Sequence, residues 1–364
     1  MSNVQKDKII FFVGEDITAH LILNRAVKQV KEAGFTPVLY FARHVVTANA
    51  NLPELKEFAL HDRILLNETV YPFINEKPSV CAKNMSPDQL AELYGLESEI
   101  VPNVNDPEFV KKIAARDDIH AAISLRSTQI FHQPIVDAVN HGNPDGIFFN
   151  LHSGILPDFR GVMPTMRTMF EYATGKRKKP PQYGVTMHKV DSFSWDKKDK
   201  GIDTGNILEV TAFTNETNPT AFAAQVGLVK AGSQAIQHLL DNLVSDFAPI
   251  GHPQNEDRSG YYTFPTREEM DDWKSAGIVL FNEKETIRTL VEAFSAANTS
   301  HGRKLEEALT KQFKIWHRKT GIDTENPAKR TIKQTPPPAA PTGTGPTGGD
   351  VMLGLAGPAI MGIR

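Results

Sequence analysis

The first regular pattern in the chain is a continuous apolar run, Lys8-Ile-Ile-Phe-Phe-Val-Gly14, of strand length and without polar alternation. A strand that is apolar on both sides is buried on both sides, as in a parallel sheet covered by helices. Thr18 then opens a stretch with apolar positions at Leu21, Ile22, Ala26, Val27 and Val30, the spacing of a helix with one buried face. Gly34 closes it, and residues 36–42 give a second buried strand, completing a βαβ unit. Residues 44–100 follow the period less well: 54–58 and 87–94 read as helices and 64–66 as a short strand. Regularity returns with Val104-Asn-Asp-Pro, a turn and cap leading into a helix through Ala115, followed by a strand at 121–125, a helix at 133–140, a strand at 146–152 and a helix at 164–174. This alternation predicts an α/β fold with a doubly wound, Rossmann-like, mostly parallel sheet, in which ligands sit at the carboxyl ends of strands.

After Leu208 the pattern changes to helical segments at 219–243, 283–297 and 303–319, joined through Gly260-Tyr-Tyr-Thr-Phe-Pro-Thr-Arg. We therefore expect a catalytic α/β domain over 1–210, a smaller, mainly helical appendage over 211–333, and a disordered Pro/Gly-rich tail over 334–364. The tail contains a literal G-x-G-x-x-G at Gly343, Gly345 and Gly348, but neither a strand before it nor a helix after it, so it is not read as a dinucleotide fingerprint. The composition, 40% hydrophobic and 23% charged, is that of a globular protein. A net charge of −3 disfavours a nucleic-acid partner. Cys81 is the single cysteine, which excludes an internal disulfide and fits a packed thiol better than a nucleophile. With no signal-like start and no run of 18 apolar residues, the expectation is a cytoplasmic protein without a membrane partner.

Candidate chemistry lies at the end of the 146–152 strand, where Asn150 and His152 are two apart and so project from one face. A carboxamide donor beside an imidazole can polarise a carbonyl and manage a proton. Downstream come Ser153-Gly-Ile-Leu-Pro-Asp-Phe-Arg-Gly161, Gly184-Val-Thr-Met-His188 and Gly201-Ile-Asp-Thr-Gly-Asn-Ile-Leu208. In this order, N-x-H, a Leu-Pro loop ending in Arg-Gly, G-V-T-x-H and D-T-G resemble the formyltransferase family that uses 10-formyltetrahydrofolate. The resemblance runs from the first strand to about Leu208. It implies that Asn150, His152 and Asp203 are the catalytic triad and that Ile155, Leu156 and Pro157 form the loop beside the folate. It also implies that Leu125 and Arg126, in Ile123-Ser-Leu-Arg-Ser-Thr-Gln-Ile-Phe131, receive the pterin, with Gly201 and Ile202 as the pocket's second wall. Two departures stand out: stretches at 175–182 and 191–201 lengthen the path from His152 to Asp203, and the family's His-Pro-Ser is here His152-Ser153-Gly154.

The resemblance implies N-formyl transfer from 10-formyltetrahydrofolate to an amine, with no metal required. Asn150 would bond the formyl oxygen, His152 would carry charge and the proton, and Asp203 would orient the imidazole and raise its pKa. Arg160 and His188 are candidate substrate-side residues, Arg160 equally a brace for its own loop and His188 equally a structural residue. His152, His188 and Asp203 form a two-histidine, one-carboxylate set, but their spacing matches no metal-ligand motif. Ser153 lies outside any G-x-S-x-G elbow. The basic run 176–179 reads as a solvated loop, and Tyr261, Tyr262 and Phe264 as core or as a stacking surface for a sugar nucleotide. Family acceptors include initiator tRNA, a ribosyl glycinamide, an amino sugar on a nucleotide, and an amino acid or hydroxylamine. A tRNA enzyme needs many phosphate contacts, which the mixed-charge helical stretch after 208 does not promise. A small-molecule amine, an amino-sugar nucleotide or a specialised amino acid, is therefore the expected acceptor. Hydrolysis of 10-formyltetrahydrofolate and methionyl-tRNA formylation are the alternatives, and a homodimer is compatible with the sequence.

Overall fold

In the computed structural model, residues 7–44, 51–78, 82–141, 146–177, 182–190, 201–214, 220–245, 249–296 and 298–320 are described. Cys81, the 334–364 tail with its glycine motif, and most of the stretches at 175–182 and 191–201 lie outside them. The chain divides into a compact unit over residues 1–316 and a second unit from His317 onward.

The first half runs β1 (Lys8–Val13), α1 (Ile17–Glu32), β2 (Thr36–Ala42), α2 (Pro53–Ala59), α3 (Tyr71–Glu76), α4 (Pro87–Tyr94), β3 (Glu97–Val101), α5 (Pro107–Ala114), β4 (Ile119–Leu125), α6 (Gln133–Asn140) and β5 (Phe148–His152), of which the hydrophobic pattern predicts all but α3 and β3. Then come the two-residue β6 (Arg160–Gly161), α7 (Pro164–Ala173), β7 (Gln182–Lys189), β8 (Ile207–Thr214), α8 (Ala221–Val244), β9 (Tyr261–Tyr262), α9 (Arg267–Ser275), α10 (Glu283–Phe294) and α11 (Ser300–Thr320). Among the described residues the main sheet has the order β3-β2-β1-β4-β5-β7-β8. Its first five strands are parallel, while β7 pairs antiparallel with both β5 and β8. The fold is α/β with a mostly parallel, Rossmann-like sheet.

β1 shows why the run had to be continuously apolar. Ile9, Phe11 and Val13 face a core shared with α1 and α8, and Ile10 and Phe12 face a second core closed by α5 and α6. On that second side Phe12 packs within 5.3–5.8 Å, centroid to centroid, of Tyr40, Phe131 and Phe148. α1 starts at Asp16, whose carboxylate accepts from the Ala19 amide. Gly232 of α8 lets that helix lie close to α1 and β5, since a Cβ there would meet Ile22 Cδ1 at 2.6 Å.

Two stretches depart from the sequence reading. Residues 64–66 are not a strand: Leu60–Ile64 and Leu66–Val70 are π-helical turns, with Leu60, Leu65, Leu66 and Val70 buried in the core. Three apolar residues are too few to reveal a period, so the run fitted either reading. β3 gave no signal because it is an edge strand, exposed at all residues but Val101.

The ends of β1 and β4 meet closely where the site lies. A Cβ on Gly14 would sit 2.3 Å from the Arg126 carbonyl oxygen, with backbone that cannot swing aside. Gly14→Ala is therefore expected to cost about 1–3 kcal/mol, the usual range for overpacking, read as a lower Tm in thermal unfolding.

Candidate active site

The switch from parallel to antiparallel pairing at β5/β7 assembles the site. Asn150 and His152 point from one face of β5 toward a cavity of about 650 Å³, and the register sets His188 of β7 directly opposite Asn150. The turn before β8 brings in Asp203, held at φ 54, a left-handed conformation unusual for a residue with a side chain.

The four side chains converge within hydrogen-bonding range. Asn150 Nδ2 is 3.1 Å from His188 Nε2 and donates to Asp203 Oδ1 at 3.3 Å. His152 Nδ1 lies 3.3 Å from Asp203 Oδ2, and His188 Nε2 lies 3.4 Å from Oδ1. The Gly161 amide donates to Asp203 Oδ2 at 2.9 Å. Burial opposes ionisation of Asp203, but His152, His188 and the Gly161 amide together hold its carboxyl below the usual carboxylate range. For His152 burial is the larger influence and lowers its pKa, although Asp203 pulls the other way. The imidazole therefore sits below 6.5 rather than above it, opposite to the rise expected from Asp203 alone.

Each histidine is fixed by a carbonyl. His152 Nε2 donates to Phe159 O at 2.7 Å and His188 Nδ1 to Lys189 O at 2.7 Å. With Nδ1 donating to that carbonyl, Nε2 of His188 faces both Asn150 Nδ2 and Asp203 Oδ1. The loop that follows β5 is compact: the Leu156 amide donates to Thr186 Oγ1 at 3.1 Å, and that hydroxyl donates to Gly154 O at 2.7 Å. Glycine is required in His152-Ser153-Gly154, because a Cβ at Gly154 would meet Pro164 Cβ at 2.5 Å and His152 Nε2 at 2.9 Å.

The other residues singled out in sequence divide between cavity and frame. Arg126, Gly201 and Ile202 line the cavity. Leu125 is buried in the core, and Ile155, Leu156 and Pro157 are not among the cavity's walls. Arg160, 4% exposed, turns away from the cavity: its guanidinium bonds Gln254 Oε1 and both oxygens of Glu256. Tyr261, Tyr262 and Phe264 form part of the wall, supplied by β9 and the turn after it. Among the described residues, no group of three or more His, Cys, Asp or Glu is arranged to hold a metal, and no helix is long and apolar enough to cross a membrane.

Two carboxylates that sequence reasoning passed over, Asp16 and Asp62, also line the cavity. Arg126 Nε bonds Asp16 Oδ1 at 2.8 Å, and Asp62, on the first π-helical turn, accepts from Gln225 Nε2 at 3.0 Å. Nothing in the local pattern marks them, since Asp16 lies in the turn before the helix read from Thr18, where it caps α1, and Asp62 falls in the stretch without a clear period. Burial, reinforced by the charge of Asp16, pushes the Asp62 carboxyl up from 3.8 to about 7, against the pull of Arg126 and Arg63.

The doubly wound sheet carries a buried Asn/His/Asp cluster at the carboxyl end of β5, the end at which ligands sit in such sheets. The sequence is similar to a methionyl-tRNA formyltransferase of Syntrophomonas wolfei subsp. wolfei (strain DSM 2245B / Goettingen), 23% identical over 212 residues that cover 58% of this chain and 60% of that protein. It is also similar to a methionyl-tRNA formyltransferase of Chlamydia pneumoniae, 24% identical over 190 residues, 51% of this chain and 52% of that protein. On these matches the chain is similar in sequence to formyltransferases. It spans between 52% and 60% of the length of these two relatives. No family model matches the chain. Among solved structures it is similar to the N-formyltransferase from Helicobacter canadensis in complex with folinic acid and dTDP-3-aminofucose (15% identity, TM-score 0.45, 77% of this chain and 82% of that one). A 4-N formyltransferase from Francisella tularensis gives 14% identity and a TM-score of 0.44, over 75% and 88% of the respective chains.

Asp62 gives the site a measurable pH signature. Its folded pKa is raised, so its contribution to stability is full below 3.8 and is lost as pH rises through about 7. Asp62→Asn, which cannot ionise, should gain Tm relative to the parent at pH 8 compared with pH 5. Parallel thermal unfolding at the two pH values reads this difference.

Proposed function

We propose that this chain transfers a formyl group from 10-formyltetrahydrofolate to the amine of a small molecule. The observation that carries this reading is the meeting of Asn150, His152 and Asp203, at 3.3 Å between neighbours, on the wall of a cavity of about 650 Å³. The folate supplies the activated carbon, and no metal is needed.

The chain's residues divide the work. As the amine adds to the formyl carbon, the carbon–oxygen double bond opens and negative charge gathers on oxygen, where an Nδ2–H of Asn150, turned from His188 Nε2, stabilises it. The amine's proton must leave, and the C–N10 bond breaks as N10 takes up a proton. His152, neutral at rest because its pKa is lowered, can accept the first and deliver the second. To do so the ring must leave the Phe159 carbonyl and carry its one proton on Nδ1, toward Asp203, so that Nε2 is the basic nitrogen. Asp203, ionised throughout, orients Nδ1 and balances the charge of the imidazolium.

An amino-sugar nucleotide and a specialised amino acid or hydroxylamine both fit as acceptor. A small amine is favoured over tRNA by the net charge of −3, which offers a polyphosphate no overall positive field. Methionyl-tRNA formylation is the second reading, favoured by the names of the two curated relatives. Hydrolysis would need water in the amine's place on the same three residues.

Supplying 10-formyltetrahydrofolate with a panel of amines, with charged initiator tRNA, or with neither separates the three, with release of tetrahydrofolate as the signal. Turnover is expected with a small amine; release only with tRNA, or with water alone, would select the other readings, and none at all would exclude the enzyme. Asn150→Ala, His152→Ala and Asp203→Ala should each abolish turnover while circular dichroism is unchanged. The pH–rate profile of the parent should hold its acid limb below 6.5, because burial keeps His152 neutral to lower pH.

A further inference from the structure

The residues that face the reacting groups come from the chain up to Asp203, yet the position of Asp203 is fixed from much further along. Asp203 is held in left-handed backbone, which costs a side-chain-bearing residue about 1–2 kcal/mol and persists only where its surroundings enforce it. Two attachments enforce it. The Gly161 amide holds the carboxylate, and Gln254 holds the main chain, donating through Nε2 to Asp203 O at 2.7 Å and to Gly205 O at 2.9 Å.

The other end of the Gln254 amide is also engaged. Its Oε1 accepts from Arg160 Nε at 3.1 Å and Nη2 at 2.8 Å, and Arg160 is the neighbour of Gly161. One carboxamide thus ties the Asp203 turn to the strand that supplies the amide for its carboxylate. That strand, β6, is itself held by β9 through Arg160 N to Gly260 O at 2.8 Å and Val162 N to Tyr262 O at 2.9 Å. The pairing is tight: a Cβ on Gly161 would meet Tyr262 O at 2.1 Å. Gln254 itself is not among the cavity's walls.

We propose that Gln254 is a positioning residue for formyl transfer, setting the orientation of the Asp203 carboxylate and through it the imidazole of His152. This rests on the function proposed above, but the link from Gln254 to His152 is measurable without turnover. The groups that face His152 are Asp203, His188, Arg126 and the Phe159 carbonyl, and of these Asp203 exerts the largest upward pull. Loosening Asp203 should therefore move the titration of His152 to still lower pH.

The test uses the full chain labelled at histidine for NMR titration, with the His152 resonance assigned by its loss in His152→Ala. Gln254→Met keeps the length and removes both donors, and the His152 midpoint should shift downward. Gln254→Asn, one methylene shorter, should shift it in the same direction and serves if Gln254→Met does not fold. Glu256→Gln weakens the hold on Arg160 without touching Asp203 and should leave the midpoint in place. In turnover, Gln254→Met should lower kcat about tenfold, within the roughly hundredfold loss that a small misplacement can cause, with KM for the amine near the parent value. A folded Gln254 variant whose His152 midpoint matches the parent overturns the proposal, as does an equal shift in Glu256→Gln. Absence of turnover in the parent counts against the proposed function and leaves the NMR result to decide the positioning.

Discussion

Taking a carboxylate out of water costs several kcal/mol unless donors replace the lost solvent. Asp203, with a side chain 11% exposed, imposes that requirement on the centre of this molecule. Its donors and neighbours come from separate elements: Asn150 and His152 from β5, His188 from β7, and the Gly161 amide from β6. None of these elements could move without leaving a buried charge unpaired. The antiparallel turn of the sheet follows from the same need, since only a β7 registered with His188 opposite Asn150 brings the second imidazole to the carboxylate.

Across the cavity the chain solves a related problem differently. The amino end of α1 would offer free backbone amides to an anion, but Asp16 occupies the first turn itself and pairs with Arg126. Glu15 lies 3.7 Å from Arg63, and Asp62 stands on the neighbouring π-helical turn. Charge is therefore matched within the protein on this wall, in an environment where an added phosphate meets carboxylates as well as the guanidinium. The Gly14 amide donates to Leu125 O at 2.9 Å, which ties the turn before α1 to the end of β4 that carries Arg126.

How much of this was legible depends on the physical range of each signal. β1, β2, β4 and β5 were readable because a strand buried on both faces must be apolar throughout; α4 was read as a helix over 87–94, and the structure adds the capping box of Ser86 and Gln89 that starts it. Asn150 and His152 were readable as neighbours on one face of a strand, a relation fixed by a period of two. The contact between Asn150 and His188 was not, because it depends on strand register across a connection with no local marker. Asp62 lay in a stretch whose π-helical turns follow no familiar period. Gln254 belongs to a segment with no periodicity at all, and Arg160 could be seen to belong to the site's loop but not that its charge would be consumed by Gln254 and Glu256.

The state of His152 shows how burial and hydrogen bonding divide a single task. A neutral imidazole has one N–H, yet both its nitrogens face acceptors: Phe159 O at 2.7 Å and Asp203 Oδ2 at 3.3 Å. Only the imidazolium can donate to both. Burial disfavours that cation at rest, which keeps a basic nitrogen available, while in the proposed transfer the fixed acceptors are already in place for the moment when it gains a proton. Because the carboxylate stays ionised and does not have to reorient, its attraction for the transient cation is stronger in this enclosed site than it would be in water. The resting structure thus withholds the charge that its own geometry is arranged to receive.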